Sequence, residues 1–151
     1  MQKKVWGNAT WYLFHTLAEK LKPEFKDELP MLFAQISGIC YNLPCPDCQN
    51  HATQIIQRSN ASQITASQEN LKNYLWSFHN SVNKRTGLVE FTKESLSMYK
   101  KAITQNVVQN FINIMNENLR NDRAMLNTFN RQKFVKIFIE YISKNGNKYY
   151  G

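Results

Sequence analysis

Apolar residues recur every three or four positions along almost the whole chain. Trp11, Phe14, His15, Ala18 and Leu21 mark one face of a first helix, for which Asn8 or Thr10 is the expected cap, and Pro23 either ends it or starts the connection to the next. Leu32, Phe33, Ile36 and Ile39 do the same for a second helix over 27–41, closed by Pro44. A third helix is predicted from Cys45 to about residue 58, with Ala52, Ile55 and Ile56 turned inward. Thr65 and Gln68 have the form of a capping box. They precede a fourth helix that carries Leu71, Tyr74, Leu75, Phe78 and Val82 and ends near Gly87. Residues 88–92 are β-prone but too few for a sheet. Beyond Lys93 the pattern predicts a short helix and two longer ones. The first, over 102–119, has the stripe Val107, Val108, Phe111, Ile112, Met115 and Leu119; the second, over 124–143, has Phe134, Val135, Phe138, Ile139 and Ile142. Strands are nearly absent and no repeat is visible. The expected fold class is all-α: a four-helix bundle plus a short fifth helix over 1–101, and a C-terminal helical extension over 102–151.

Composition narrows this. A chain of 151 residues that is 42% hydrophobic suits one globular domain with a sizeable core. No apolar run approaches the roughly 20 residues of a membrane-spanning helix. Met1 to Trp6 lacks the apolar stretch of a secretory signal, so the expected location is the cytoplasm. Three cysteines are too few for a disulfide-stapled mini-domain. The net charge of +8 is unevenly spread: residues 1–99 hold ten basic against eight acidic residues, and residues 100–151 nine against three. Such a tail fits a solvated helix surface, or contact with an acidic partner, an anionic membrane or nucleic acid.

The chemistry concentrates in L-P-C-P-D-C-Q-N-H-A. Cys45 lies just before, and Cys48 within, the first turn of the third helix. Unpaired N–H groups and the helix dipole favour an anion there, which predicts a lowered thiol pKa and easier disulfide exchange. Asp47 acts weakly in the opposite sense. Zinc is the competing reading, because Cys40, Cys45, Cys48 and His51 make C-x4-C-x2-C-x2-H. Against it, all four fall in one continuous stretch, whereas compact zinc sites draw on separated knuckles. Gln49 after Cys48 excludes the haem-attachment pattern, and the lack of a βαβ pattern speaks against a thioredoxin. The residues favour redox over zinc and leave both open.

Two further runs, W-G-N-A-T-W-Y-L-F-H upstream (Trp6 to His15) and F-H-N-S-V-N-K-R downstream (Phe78 to Arg85), change the weighing. With them, residues 5–100 resemble the flavin-linked sulfhydryl oxidases of the Erv/ALR family, most like members encoded by large cytoplasmic DNA viruses. The resemblance implies an FAD-binding bundle with Cys48 beside the flavin and Cys45 meeting the substrate. Electrons would pass from client thiols through the Cys45–Cys48 disulfide to FAD and then to O2, giving hydrogen peroxide. It also implies that Trp11 and His15 line the flavin pocket, with His51 and Phe78 beside them and Trp6 and Gly7 at the lip. His79 and Asn83 would face the adenosine half with Asn80 on the flank, Lys84 and Arg85 the pyrophosphate, and Tyr99 the adenine.

Many relatives carry extra cysteine pairs that shuttle electrons, and here only Cys40 is left over. The implied partner is therefore a thiol-containing client, or a protein bringing its own C-x-x-C. Cys40 reads as a buried thiol. A homodimer through the first helices is the further implication. Lys20 stands where an aromatic is often found, so that side of the pocket is expected to differ. The alternative from another class is a zinc-stabilised helical module whose basic tail binds nucleic acid.

Overall fold

The computed structural model describes residues 2–117 and 125–151. Its helices are α1 (Lys3–Lys20), α2 (Leu29–Tyr41), α3 (Pro46–Gln57), the short α4 (Ala61–Ile64), α5 (Gln68–Arg85), α6 (Thr104–Glu117) and α7 (Met125–Asn145). Among the described residues, the 3₁₀ segments Pro23–Glu28 and Lys93–Lys101 lie between helices and Gly146–Lys148 follows α7. Among the described residues there is no strand, only an isolated antiparallel bridge between Leu21 and Tyr149. The all-α expectation holds. Leu119 and Ala124, expected on the last two helices, lie outside the described residues.

Several boundaries differ from the sequence reading for identifiable reasons. The first helix starts a full turn before Asn8, at Lys3, with Gln2 at its cap position. Thr10 is inside the helix, where its hydroxyl donates to the Trp6 carbonyl at 2.6 Å. Pro23 starts the connection, opening the 3₁₀ segment Pro23–Glu28, rather than ending the helix: Leu21 is already extended and its backbone pairs with Tyr149. Helix α2 begins at Leu29, two residues later than expected, with Pro30 in its first turn. The capping box is also displaced. Ser67, not Thr65, caps α5 by accepting the Asn70 N–H, and the Thr65 hydroxyl bonds back to Ala61. Gln68 instead donates to the Ala18, Glu19 and Leu21 carbonyls, satisfying the open C-terminal end of α1 from a neighbouring helix.

Helix α1 is the centre of the molecule. It buries Leu13, Phe14, Leu17 and Ala18 together with Thr10, His15, Thr16 and Lys20, so it is enclosed on several sides rather than along one stripe. Helices α5 and α6 and the 3₁₀ segment Lys93–Lys101 pack against it, α6 most extensively. The C-terminal segments enter the same core: Val108, Phe111, Met115, Val135, Phe138, Tyr141 and Tyr149 cluster with Leu13, Leu17, Leu29 and Leu32. On α7 the inward residues are Val135, Phe138 and Tyr141, while Ile139, expected inside, is exposed. Lys20 does not face the pocket described below. Its ammonium donates to the Lys100 and Gly151 carbonyls, both at 2.9 Å.

Candidate functional site

Cys45 is the cap residue of α3. Its backbone is extended and its sulfur accepts the Cys48 N–H at 3.3 Å, with Pro46 opening the helix behind it. The Gln49 N–H bonds the Cys45 carbonyl at 2.9 Å, closing the first turn. Both thiols are free, half-buried and within hydrogen-bonding reach of one another. The expected lowering of the Cys48 pKa by the helix end is not what results. Burial, then the hydrogen bond to Cys45 and the charge of Cys45, push it up to about 11, while Lys3 and Arg85 act to lower it. Cys40 is fully enclosed and pushed up to about 12 by burial, so it stays a protonated, inert thiol.

Beside Cys48 lies a cavity of about 520 Å³ between α1, α3 and α5. Trp11, Phe14, Leu43, Phe78 and Val82 give it apolar and aromatic walls. Cys40, Cys48 and Ala52 close one side. Its charged lining is all cationic: Lys3, Lys4 and Arg85, with no carboxylate. Of the residues singled out in the sequence, Trp6, Gly7, Trp11, Cys48, His51, Phe78, His79, Asn83 and Arg85 line this one cavity. Cys45 lies outside its lining.

His15, Asn80, Lys84 and Tyr99 are placed elsewhere. Trp11 stacks on His79 with centroids 4.2 Å apart and planes 6° apart; behind them His15 bonds His79, Nε2 to Nδ1, at 2.9 Å and stacks on Tyr99. One of the two facing imidazole nitrogens must donate and the other accept. Burial, then the charge of His79, push His15 down to about 3, and burial pushes His79 down to about 4. The column is thus neutral at pH 7. Asn80 is buried and clamps the loop after α5: its amide donates to the Phe91 carbonyl at 2.9 Å and accepts the Phe91 N–H at 3.0 Å. The Trp76 indole adds a second bond to the same carbonyl. Gly87, at φ +76°, turns the chain into this loop, where Leu88, itself exposed, lines the cavity. Lys84 is exposed and outside the lining.

Lys3, Lys4, Asn8 and Leu88 are lining residues that the sequence reading missed. Two lysines in the first turn of a helix, with no acid beside them, oppose the helix dipole. That misplaced charge was the available signal, hidden because the helix was expected to start later. Among the described residues no group of three or more His, Cys, Asp or Glu side chains is arranged to hold a metal, which leaves the zinc alternative without support.

Comparison with known proteins agrees with this geometry. The chain is 34% identical over 88 residues to the 096R protein of Invertebrate iridescent virus 3, whose name places it among the FAD-linked sulfhydryl oxidases; the match covers 54% of this chain and 56% of that protein. It is 36% identical over 92 residues to FAD-linked sulfhydryl oxidase ERV1 of Arabidopsis thaliana, covering 58% and 46%. It is 32% identical over 60 residues to FPV093 of Fowlpox virus (strain NVSL), also named as an FAD-linked sulfhydryl oxidase, covering 40% and 60%. The matched region thus spans about half the length of these curated relatives. No solved structure gives a significant match. The sequence pattern of the Erv1 / Alr family matches residues 8–103, the stretch that holds the Cys45–Cys48 turn, the aromatic column and most of the cavity wall, and the chain belongs to that family.

Proposed function

We propose that the chain is an FAD-dependent thiol oxidase that makes disulfides in client proteins. One observation carries the reading: Cys48 lines the large cavity while Cys45, in hydrogen-bonding reach of it, does not. A redox pair so arranged can accept electrons on one side and release them on the other. The cavity suits FAD. Trp11, Phe14 and Phe78 offer flat apolar surface to a ring system, and Lys3, Lys4 and Arg85 offer cations to a diphosphate, with no carboxylate opposing it. His79 and Asn83 would meet the adenosine half, with His51, Trp6 and Gly7 at the rim. His15 and Tyr99 support the stack from behind.

The steps at the chain's own residues follow from thiol–disulfide exchange. With Cys45 and Cys48 oxidised, a client thiolate attacks the Cys45 sulfur. A client–Cys45 bond forms, the Cys45–Cys48 bond breaks, and its electron pair leaves on Cys48. A second client thiolate then attacks the client sulfur of this mixed disulfide and releases Cys45. The client has lost two electrons and two protons, and the enzyme holds a dithiol. Bound in this cavity, FAD would supply the two-electron chemistry that carries the dithiol's electrons on to dioxygen as hydrogen peroxide, with Cys48 the thiol placed at the cavity.

The client is a protein thiol, or a partner with its own C-x-x-C, since Cys40 is too enclosed to relay electrons. Homodimerisation, implied by the resemblance, would need a face other than the one on α1 that α6 covers. No described helix is long and apolar enough to cross a membrane.

The test is the visible spectrum of the purified protein under anaerobic dithiothreitol, followed by oxygen uptake with a reduced protein substrate. The expected result is a flavin spectrum that bleaches and returns in air. Cys45→Ser and Cys48→Ser should each cut thiol-dependent oxygen uptake by about 100-fold or more. Full turnover in both variants would sink the reading.

A further inference from the structure

Helix α2 is patterned the wrong way round for a helix at the surface. Its sequence, L-P-M-L-F-A-Q-I-S-G-I-C-Y, holds no acid and no base, in a chain of net charge +8. Its amide and hydroxyl residues Gln35 and Ser37 are buried, and neither Gln35 Oε1 nor Ser37 Oγ finds a hydrogen-bond partner among the described residues. Outward it shows Pro30, Met31 (52% exposed), Ala34 and Tyr41 (42% exposed), with the half-buried Gly38 between them. Water-facing helix positions are ordinarily polar. An inverted pattern that leaves buried oxygens unpaired is expected where the outer face has a use. Met31, Ala34, Gly38 and Tyr41 follow one another at helical-turn spacing and so form one stripe, about 15 Å long at the helical rise. Helix α7 borders the stripe at Gly38, against which the Phe134 ring packs, and leaves Met31, Ala34 and Tyr41 exposed.

The stripe ends at the redox turn. Tyr41 stands four residues before Cys45, which puts their Cα atoms no more than about 14 Å apart. A protein partner covers about 800 Å² of surface, a disc of about 16 Å radius. Centred on Cys45, such a disc takes in Tyr41 and the near end of the stripe. We propose that the outer face of α2 is the docking strip for the client polypeptide, and that it selects clients with apolar residues beside the reacting cysteine. The proposal rests on the oxidase reading, which is what brings a client to Cys45. Apolar side chains laid on Met31, Ala34 and Tyr41 leave water together with them, and the bound segment raises the local concentration of its thiol at Cys45. A small thiol has nothing to lay on the strip and gains nothing from it.

The test uses oxygen uptake by the flavin-loaded full chain with three substrates. Two are synthetic dithiol peptides of equal length, with cysteines flanked by leucines in one and by serines in the other; the third is dithiothreitol. The leucine peptide should have a KM about tenfold below that of the serine peptide. Met31→Glu and Ala34→Glu should each remove most of that difference, by placing a charge where apolar side chains dock, and leave dithiothreitol turnover within about twofold. Asn110→Glu, the same charge on the exposed face of α6, should leave the peptide preference in place. Equal KM values in the wild type would overturn the proposal, as would a preference that survives both α2 variants or is lost equally in Asn110→Glu. A wild-type dimer that Ala34→Glu turns into a monomer, read by light scattering, would also overturn it and give the strip to a second copy. Melting temperatures check the fold, and Ala34→Gln, polar yet a good helix former, keeps the measurement decisive if a glutamate variant is unstable. Failure of the oxidase reading would appear separately, as a wild-type chain that consumes no oxygen with dithiothreitol.

Discussion

His15 is only 3% exposed and is bonded to a second imidazole, so protonating it means charging an enclosed ring pair. Its folded pKa, pushed down to about 3, lies far below the 6.5 of an unfolded chain. As pH falls below 6.5, the unfolded chain takes up a proton that the folded chain refuses. Stability therefore falls, by up to about 1.4 kcal/mol per pH unit from this residue, until the folded pKa is reached. His79, pushed down to about 4, acts in the same direction. Urea midpoints measured between pH 7 and pH 4.5 should decline steadily, and His15→Phe should flatten the decline. Parallel curves for the two proteins would refute this. The spacing of Trp11 with His15 and of His79 with Asn83 was legible because one helical turn separates each pair. The His15–His79 bond was not, since it joins residues 64 apart on two helices. Asn80 shows the same limit: its pattern marked it as special, but its use as a backbone clamp depends on where Phe91 comes to lie.

At the scale of elements, close approach matters more than capping. Gly38 of α2 faces Phe134 of α7, and a Cβ on that glycine would fall inside the Phe134 ring. Overpacking of this kind costs about 1–3 kcal/mol, while Gly→Ala inside a helix recovers roughly 1 kcal/mol of propensity. Gly38→Ala should thus destabilise the protein by about 1 kcal/mol. In a Phe134→Ala background the sign should reverse, with Gly38→Ala becoming stabilising by up to about 1 kcal/mol. Denaturant melts of the four proteins give the cycle, and a coupling near zero would show that α7 does not sit on α2 as described. The long helices were readable because their apolar spacing is strong, whereas the short α4 over Ala61–Ile64 and most element ends were not. Leu21 leaves the helix to pair with Tyr149, and Gln68 caps α1 rather than its own helix; both are contacts between segments far apart in sequence.

For the molecule as a whole, the question is whether residues 102–151 are an appendage or a wall. Charge alone pointed to an appendage, with nine basic residues against three acidic over 100–151. Part of that charge is turned to structural use. Lys148 pairs with Glu28 at 2.9 Å, and Arg131 is buried against the core. Backbone ties reinforce the closure, from the Tyr150 N–H to the Lys20 carbonyl and from the Lys22 N–H to the Lys148 carbonyl. Among the described residues, seven apolar or aromatic side chains of the segment are buried in the common cluster. At about 1.5–3 kcal/mol for each fully buried large side chain, their gross contribution matches or exceeds the roughly 5–15 kcal/mol by which domains are stable. A chain ending at residue 101 should therefore fail to persist as a folded single copy. It should either precipitate or cover the exposed α1 face with a second copy, seen by light scattering as a dimer with a lowered melting temperature. The full chain should elute as a monomer if α6 takes that position in cis. A truncated protein that stays monomeric and melts at the full-length temperature would show instead that the segment is an appendage, and would return the α1 face to the surface available for partners.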